Sequence, residues 1–248
     1  MKIIRPVADT DLDALLRLCQ ETGRGLTSLQ ADESYLMKRI RLSQYAFKRS
    51  THYGEGSYLF VLVDAKDNQD LEGPLLGISG IESAVGLLDP WYNYRIGKEV
   101  HASRELNLYH RSDILFLSND LTGFSEICSL FLTADFRFAG NGSLLSKSRF
   151  LFMAEFPHLF HTQVIAELRG QTNAKGVSPF WEHLGRHFFD MNFEEADYLT
   201  GVGKKTFIAE LMPKFPIYTA FLDKSAQAVI GQVHQETQAA RSILEKEG

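Results

Sequence analysis

The stretch EICSLFLTADFRFAGNGSLLSKSRF, residues 126–150, decides how the rest of the chain is read. Its first part, 126–133, is a short apolar run of strand character. From Ser143 onward the pattern predicts a helix over 143–156, with Leu144, Leu145, Phe150, Leu151 and Phe152 on a broad apolar side. Between the two lies Arg137-Phe138-Ala139-Gly140-Asn141-Gly142, an R-x-x-G-x-G pattern. Glycines at 140 and 142 allow the backbone to reverse tightly and an anion to come close to peptide N–H groups. A helix starting directly after such a turn offers unpaired N–H groups and the positive end of its dipole. The setting therefore predicts a pyrophosphate cradle; the competing reading is a glycine-rich turn that only reverses the chain. A Rossmann site is disfavoured because the first glycine of G-x-G-x-x-G is missing and no acidic residue closes a second strand at the required distance. The Walker pattern is also absent.

Upstream, residues 2–7 read as a strand and 10–20 as a helix, with Leu12, Leu15, Leu16 and Cys19 on one face, Asp9 or Thr10 as N-cap and Gly23 as stop. Residues 32–47 read as a second helix, a solvated lid with Tyr35, Leu36, Ile40 and Leu42 near one side. Segments 57–63 and 75–85 form a hairpin around a polar turn. The aromatic and polar segment 86–112 has no clean period and reads as a substrate-side loop or irregular hairpin. Downstream, 115–119 and 163–168 read as strands. Ser178-Pro179 opens a helix over 180–189, 205–212 reads as a strand, and 242–248 still reads as helix. Local hairpins mixed with crossover helices give an α+β fold with a central mixed β-sheet flanked by helices.

The 248 residues are 44% hydrophobic and 12% aromatic, enough to bury a core. With 26 Lys and Arg against 31 Asp and Glu, the net charge of -5 argues against nucleic acid or an anionic membrane as partner. Two cysteines, Cys19 and Cys128, have no metal-ligand or CxxC spacing and read as reduced thiols of a cytoplasmic protein, with no metal site. No signal-peptide pattern and no apolar run near the roughly 18 residues needed to span a bilayer are present.

The R-x-x-G-x-G loop and the opening IRPVADTDLDALLRL (4–18) resemble the GNAT acyl-CoA N-acyltransferase superfamily. More narrowly, GLTSL (25–29), DPWYNYR (89–95), FLSND (116–120), GNGSLLSKSRFLFMAEF (140–156), SPFWEHLG (178–185), FIAELMPKFPIY (207–218) and IGQVHQET (230–237) resemble the arginine N-succinyltransferase family. The resemblance extends over essentially the whole chain. It implies a single GNAT-like acyltransferase domain over 1–248, truncated at its C-terminus because family chains continue further. It also implies transfer of succinyl from succinyl-CoA, a co-substrate rather than a permanent cofactor, to the α-amine of L-arginine. Attack is direct, within a ternary complex, in arginine catabolism, and the enzyme is a homo- or hetero-oligomer. Two alternatives remain open: an acyl-CoA-dependent N-acyltransferase for another amine or acyl group, and a catalytically silent CoA-binding module.

The resemblance assigns Leu130 as a succinyl-CoA contact through its main chain, residues Arg137 to Gly142 as the pyrophosphate loop, and His234 as proton donor. A histidine exchanges a proton near neutral pH, which suits a departing CoA sulfur. An arginine substrate needs a carboxylate for its guanidinium, and a succinyl carboxylate needs a cation. Asp120 and Glu126, with Arg95 and Arg104, are the candidates, each with a bland reading as a surface charge. Cys128 reads as an inert packing thiol rather than an acyl-accepting nucleophile.

Overall fold

The computed structural model describes residues 1–21, 28–49, 52–66, 71, 73–201 and 210–247. In chain order these form β1 (Lys2–Pro6), α1 (Leu12–Glu21), α2 (Glu33–Lys48), β2 (Ser57–Asp64), β3 (Leu75–Glu82), β4 (Asn93–Ser103), β5 (Leu108–Ser118), β6 (Ser125–Leu132), α3 (Asn141–Glu155), β7 (Val164–Ile165), α4 (Pro179–His183), α5 (Phe193–Gly201), β8 (Ile217–Tyr218), α6 (Lys224–Val229) and α7 (Gln238–Glu247). Two compact units result. One comprises Met1–Leu88, Thr122–Glu167 and Ala239–Gly248, the other Asp89–Leu121 and Leu168–Gln238.

The first unit is built on a sheet of order β1-β2-β3-β6-β7, antiparallel except for the parallel β6–β7 pair. Strand β2, SYLFVLVD, explains its layering. Alternate side chains leave a strand on opposite faces, and here both faces are covered. Leu59, Val61 and Val63 pack with Leu15, Leu18, Leu36 and Ile40 of α1 and α2. Tyr58 and Phe60 meet Phe152 of α3, and Leu62 meets Leu145. Each fully buried aliphatic or aromatic side chain contributes about 1.5–3 kcal/mol. Helix α2 is therefore a packed layer and not a solvated lid: Leu36, Ile40, Ser43 and Ala46 are buried, while Leu42 is exposed. Its N-cap is Asp32, which accepts from the Tyr35 amide at 2.7 Å. Asp9 and Thr10, the expected caps, lie inside a 3-10 turn, Asp9–Asp11, that leads into α1; the N-cap of that turn is Ala8, and Asp11 is its capping-box partner. Its carboxylate accepts from the Ala8 amide at 2.8 Å and is gripped by Arg5 through two 2.7 Å bonds.

The second unit holds the sheet β4-β5-β8 over a core of Trp181, Leu184, Phe189, Ala196 and Met212. Its main strands correct the reading of 86–112. Beta strands β4 and β5 form a hairpin in unbroken register from Asn93↔Ser118 to Ser103↔Leu108. The sequence hid it because much of the hairpin lies outside any core: Val100, Leu108 and Tyr109 are all exposed, so no period-2 alternation is imposed. Strand 163–168 shrinks to two paired residues. The helix after Ser178 splits into α4 and a 3-10 turn, Gly185–His187. Most of the strand expected at 205–212 lies outside the described residues, and Glu210 and Leu211 are helical.

Candidate active site

Strand β6 does not pair evenly with β3. Cys128 lies opposite Gly80 and Phe131 opposite Ile78, so Ser129 and Leu130 face the single residue Ser79. Ser129 has φ +53, a left-handed conformation costly for a residue with a Cβ. Together these define a β-bulge, a device that re-aims backbone groups out of the ladder. The Leu130 side chain packs beside Leu62, Leu76, Leu132 and Leu145. Its side chain is thus engaged in the core, which fits the expectation that any ligand contact at this position is through the main chain.

Downstream of β6 the glycine-containing loop is tightly held. The Arg137 Nε donates to the Leu132 carbonyl at 2.9 Å, and its guanidinium lies over the Phe131 ring. Ala139 (φ +52) and Gly140 (φ +78) are consecutive left-handed residues, and the buried Asn141 donates its side-chain amide to the Phe136 carbonyl at 3.0 Å. Helix α3 begins at Asn141, two residues before the expected start, so Gly142 falls in its first turn. The amides of Gly142 and Ser143 then have no carbonyl of a preceding turn to bond, which is the anion-receptive end of a helix. A Cβ on Gly142 would point toward Ile243 and Leu132 at ordinary contact distances, whereas one on Gly140 meets nothing within 4 Å. Gly140 is thus required for its backbone angle, and Gly142 makes no such demand.

Glu126 is buried at the start of β6, directly opposite Glu82 of β3. Glu82 accepts from Arg39 and from the Ser57 hydroxyl, both at 2.9 Å. Cys128 follows on the same strand, and burial, with the negative charges of Glu126 and Glu82, pushes its thiol up to about 12. A further cation lies behind β6: Arg149 of α3 is 1% exposed and donates to the Ser146 carbonyl, the Ser146 hydroxyl and the Cys128 carbonyl.

The other proposed residues belong to the second unit. Arg95 and Asp120 face each other at 3.6 Å as an exposed ion pair, so each already has a partner, while Arg104 is exposed near the hairpin end. His234 is largely buried and anchored: its amide donates to the Arg169 carbonyl at 2.8 Å beside the Gly170↔Val233 bridge. Its Nδ1 accepts from the Glu236 amide at 3.3 Å, which in the neutral ring assigns the hydrogen to Nε2. Nearby, the Arg169 guanidinium and the Glu236 carboxylate are 3.7 Å apart. Burial raises the Asp197 carboxyl to about 6, against the pull of Arg169.

Sequence reasoning missed Ser129, Glu82, Arg149 and Arg169. Only Arg149 left a usable trace, because it stands four residues after Leu145 on what must be the buried stripe of α3. Among the described residues no group of three or more His, Cys, Asp or Glu side chains is placed to hold a metal ion, and no helix is long and apolar enough to cross a membrane.

Comparison with known proteins bears on this geometry. A family model described as arginine N-succinyltransferase beta subunit matches residues 2–248. The chain is 55% identical over 246 residues to the arginine N-succinyltransferase subunit beta of Pseudomonas aeruginosa, covering 99% of this chain and 71% of that one. It is 56% identical over 248 residues to the arginine N-succinyltransferase of Citrobacter koseri, covering 100% and 71%. A solved structure, the arginine/ornithine succinyltransferase subunit AI from Pseudomonas aeruginosa, superposes with a TM-score of 0.89 at 36% identity, covering 100% of this chain and 71% of that one.

Proposed function

The chain belongs to the arginine N-succinyltransferase family and is an acyltransferase, and from that premise we propose that it transfers succinyl from succinyl-CoA to the α-amine of L-arginine in a ternary complex. The observation that carries this reading is the family match over residues 2–248 at 55% identity to a curated relative. The bulge at Ser129 and the left-handed entry into α3 support it chemically. The CoA pyrophosphate binds the turn from Arg137 to Gly142 and the first amides of α3, and the thioester oxygen is received by backbone N–H groups at the bulge beside Leu130.

The neutral α-amine attacks the thioester carbonyl, giving a tetrahedral intermediate whose oxyanion the strand amides stabilise. Collapse breaks the C–S bond. The amine sheds its proton to solvent, and the CoA thiolate gains one from Nε2 of the imidazolium form of His234, whose Nδ1–H then lies near the Glu236 carboxylate, 3.7 Å away; solvent reprotonates the ring. Covalent transfer through Cys128 is disfavoured, since burial and the neighbouring carboxylates keep its thiol protonated at neutral pH. Glu126 is proposed to face the cationic substrate. Arg95 and Asp120 are weaker candidates because each neutralises the other.

The enzyme is proposed to act in the cytoplasm, as an oligomer. The P. aeruginosa relative is named as a subunit, and the matching structure's name includes ornithine, so ornithine is the second amine to examine. A thiol-release assay crossing succinyl-CoA and acetyl-CoA with arginine and ornithine tests the reading. Succinyl-CoA with arginine should give the highest kcat/KM. Absence of arginine-dependent thiol release would refute it.

A further inference from the structure

We infer that Arg149 is a positioning residue for acyl transfer: its buried guanidinium polarises the Cys128–Ser129 peptide of the bulged strand and thereby strengthens the N–H groups that receive the thioester oxygen. This rests on the proposed role of the bulge beside Leu130.

Arg149 is among the most deeply buried side chains of the chain, at 1% exposure, yet no carboxylate is paired with it among the described residues. Taking a lone guanidinium out of water is costly, and an apolar side chain of similar volume at such a site is commonly neutral or stabilising. Packing alone therefore gives no reason for the charge. Two of its bonds hold it within its own helix, from Nε to the Ser146 carbonyl at 3.2 Å and from one terminal nitrogen to the Ser146 hydroxyl at 2.8 Å. The other terminal nitrogen leaves the helix and reaches the Cys128 carbonyl at 3.4 Å. That contact is long for a hydrogen bond, but a charge in a dry interior acts at this range. Burial lowers the guanidinium only to about 10, so it stays cationic at neutral pH.

The Cys128 carbonyl shares its peptide unit with the Ser129 N–H, and Ser129 is the left-handed residue of the bulge. Donation to the carbonyl end draws electron density through the conjugated unit and makes the N–H end a better donor. The same fixed positive charge favours an oxyanion forming at the strand, without reorganisation during the reaction. Helix α3 begins at the anion-receptive turn and carries Arg149 two turns later, so one rigid element addresses both the phosphates and the thioester.

The test compares Arg149→Met and Arg149→Lys with the wild-type full chain. It measures melting temperature, succinyl-CoA dissociation constant, kcat and the infrared carbonyl stretch of bound succinyl-CoA labelled with ¹³C at the thioester. Arg149→Met should melt no lower than wild type and bind succinyl-CoA within about threefold. Its kcat should fall on the order of tenfold to 100-fold, and its carbonyl band should return toward the free position. Arg149→Lys, which keeps the charge, should recover part of the rate and of the band shift. A kcat within about threefold of wild type in Arg149→Met, or parallel losses of melting temperature, CoA affinity and rate, would overturn the inference. If Arg149→Met does not fold, Arg149→Lys decides: a fully wild-type rate and band in it overturn the inference, and intermediate values of both uphold it. A wild-type band that does not move on binding would instead remove the proposed role of the bulge, and the inference with it.

Discussion

Of the residues placed in the site, His234 is the proposed acid and Cys128 the potential nucleophile, and their surroundings separate them. Nδ1 of His234 is engaged by Glu236, through its amide in the neutral ring and its carboxylate, 3.7 Å away, in the imidazolium, leaving Nε2 as the nitrogen that exchanges a proton with substrate. His234→Ala should lower kcat by roughly 10²–10⁴-fold with little change in the succinyl-CoA dissociation constant. Steady-state kinetics alongside equilibrium CoA binding check this, and a wild-type kcat would take the residue out of the mechanism. Cys128 is held as a neutral thiol by burial and adjacent carboxylates. Cys128→Ala should retain turnover within about threefold and lose at most about 1–2 kcal/mol of stability from the small cavity. Mass spectrometry of the wild type mixed with succinyl-CoA should find no acyl adduct on Cys128; a trapped thioester there would sink direct transfer. The chemical identity of His234 was readable from the sequence, but the engagement of its ring was not, because a tautomer depends on which backbone group reaches Nδ1.

At the scale of elements, the turn into α3 is where sequence and structure part most usefully. Both glycines of R-x-x-G-x-G look equivalent in the sequence, yet only Gly140 has a positive φ, and a Cβ on Gly142 would turn toward Ile243 and Leu132 rather than into open space. Gly140→Val should therefore weaken CoA binding by about tenfold, since a β-branched residue at φ +78 costs on the order of 1–2 kcal/mol and would relax the turn. Gly142→Ala should be nearly neutral. Calorimetric titration of CoA into both variants separates them, and a Gly142→Ala loss matching that of Gly140→Val would contradict the geometry. The helix itself was foreseen, and Leu145, Phe150 and Phe152 of its expected apolar side do pack into the core, but the rest of that side differs. Leu144 and Leu151 are exposed, whereas Asn141, Leu145, Ser146 and Arg149 are buried. Hydrophobicity alone ranks Leu144 and Leu151 above Asn141, Ser146 and Arg149, in the wrong order, because these three polar residues find hydrogen-bond partners in the helix, the loop and β6.

For the whole molecule, stability should carry the mark of Asp197 in α5. Its carboxyl is raised to about 6 in the folded state, above the unfolded value near 4. The folded protein thus holds the proton more tightly. The resulting stabilisation is fully present below about pH 4 and is lost as pH rises through about 6. Asp197→Asn should raise the melting temperature at pH 8 by a few degrees and leave it nearly unchanged at pH 4. Equal shifts at both pH values would show that burial does not govern this group. The sequence by itself determined most of the first unit's elements: its long apolar strands, its helices and the glycine turn are specified by side-chain pattern over a few neighbouring residues. It also carried the family, through motifs spread along the chain. Only the tertiary structure decided the bulge at Ser129, the charge of Arg149 behind it, and the β4–β5 hairpin. Those features arise from pairing between residues distant in sequence, such as Gly80 with Cys128, or from strands with too little buried face to write an alternation into the sequence.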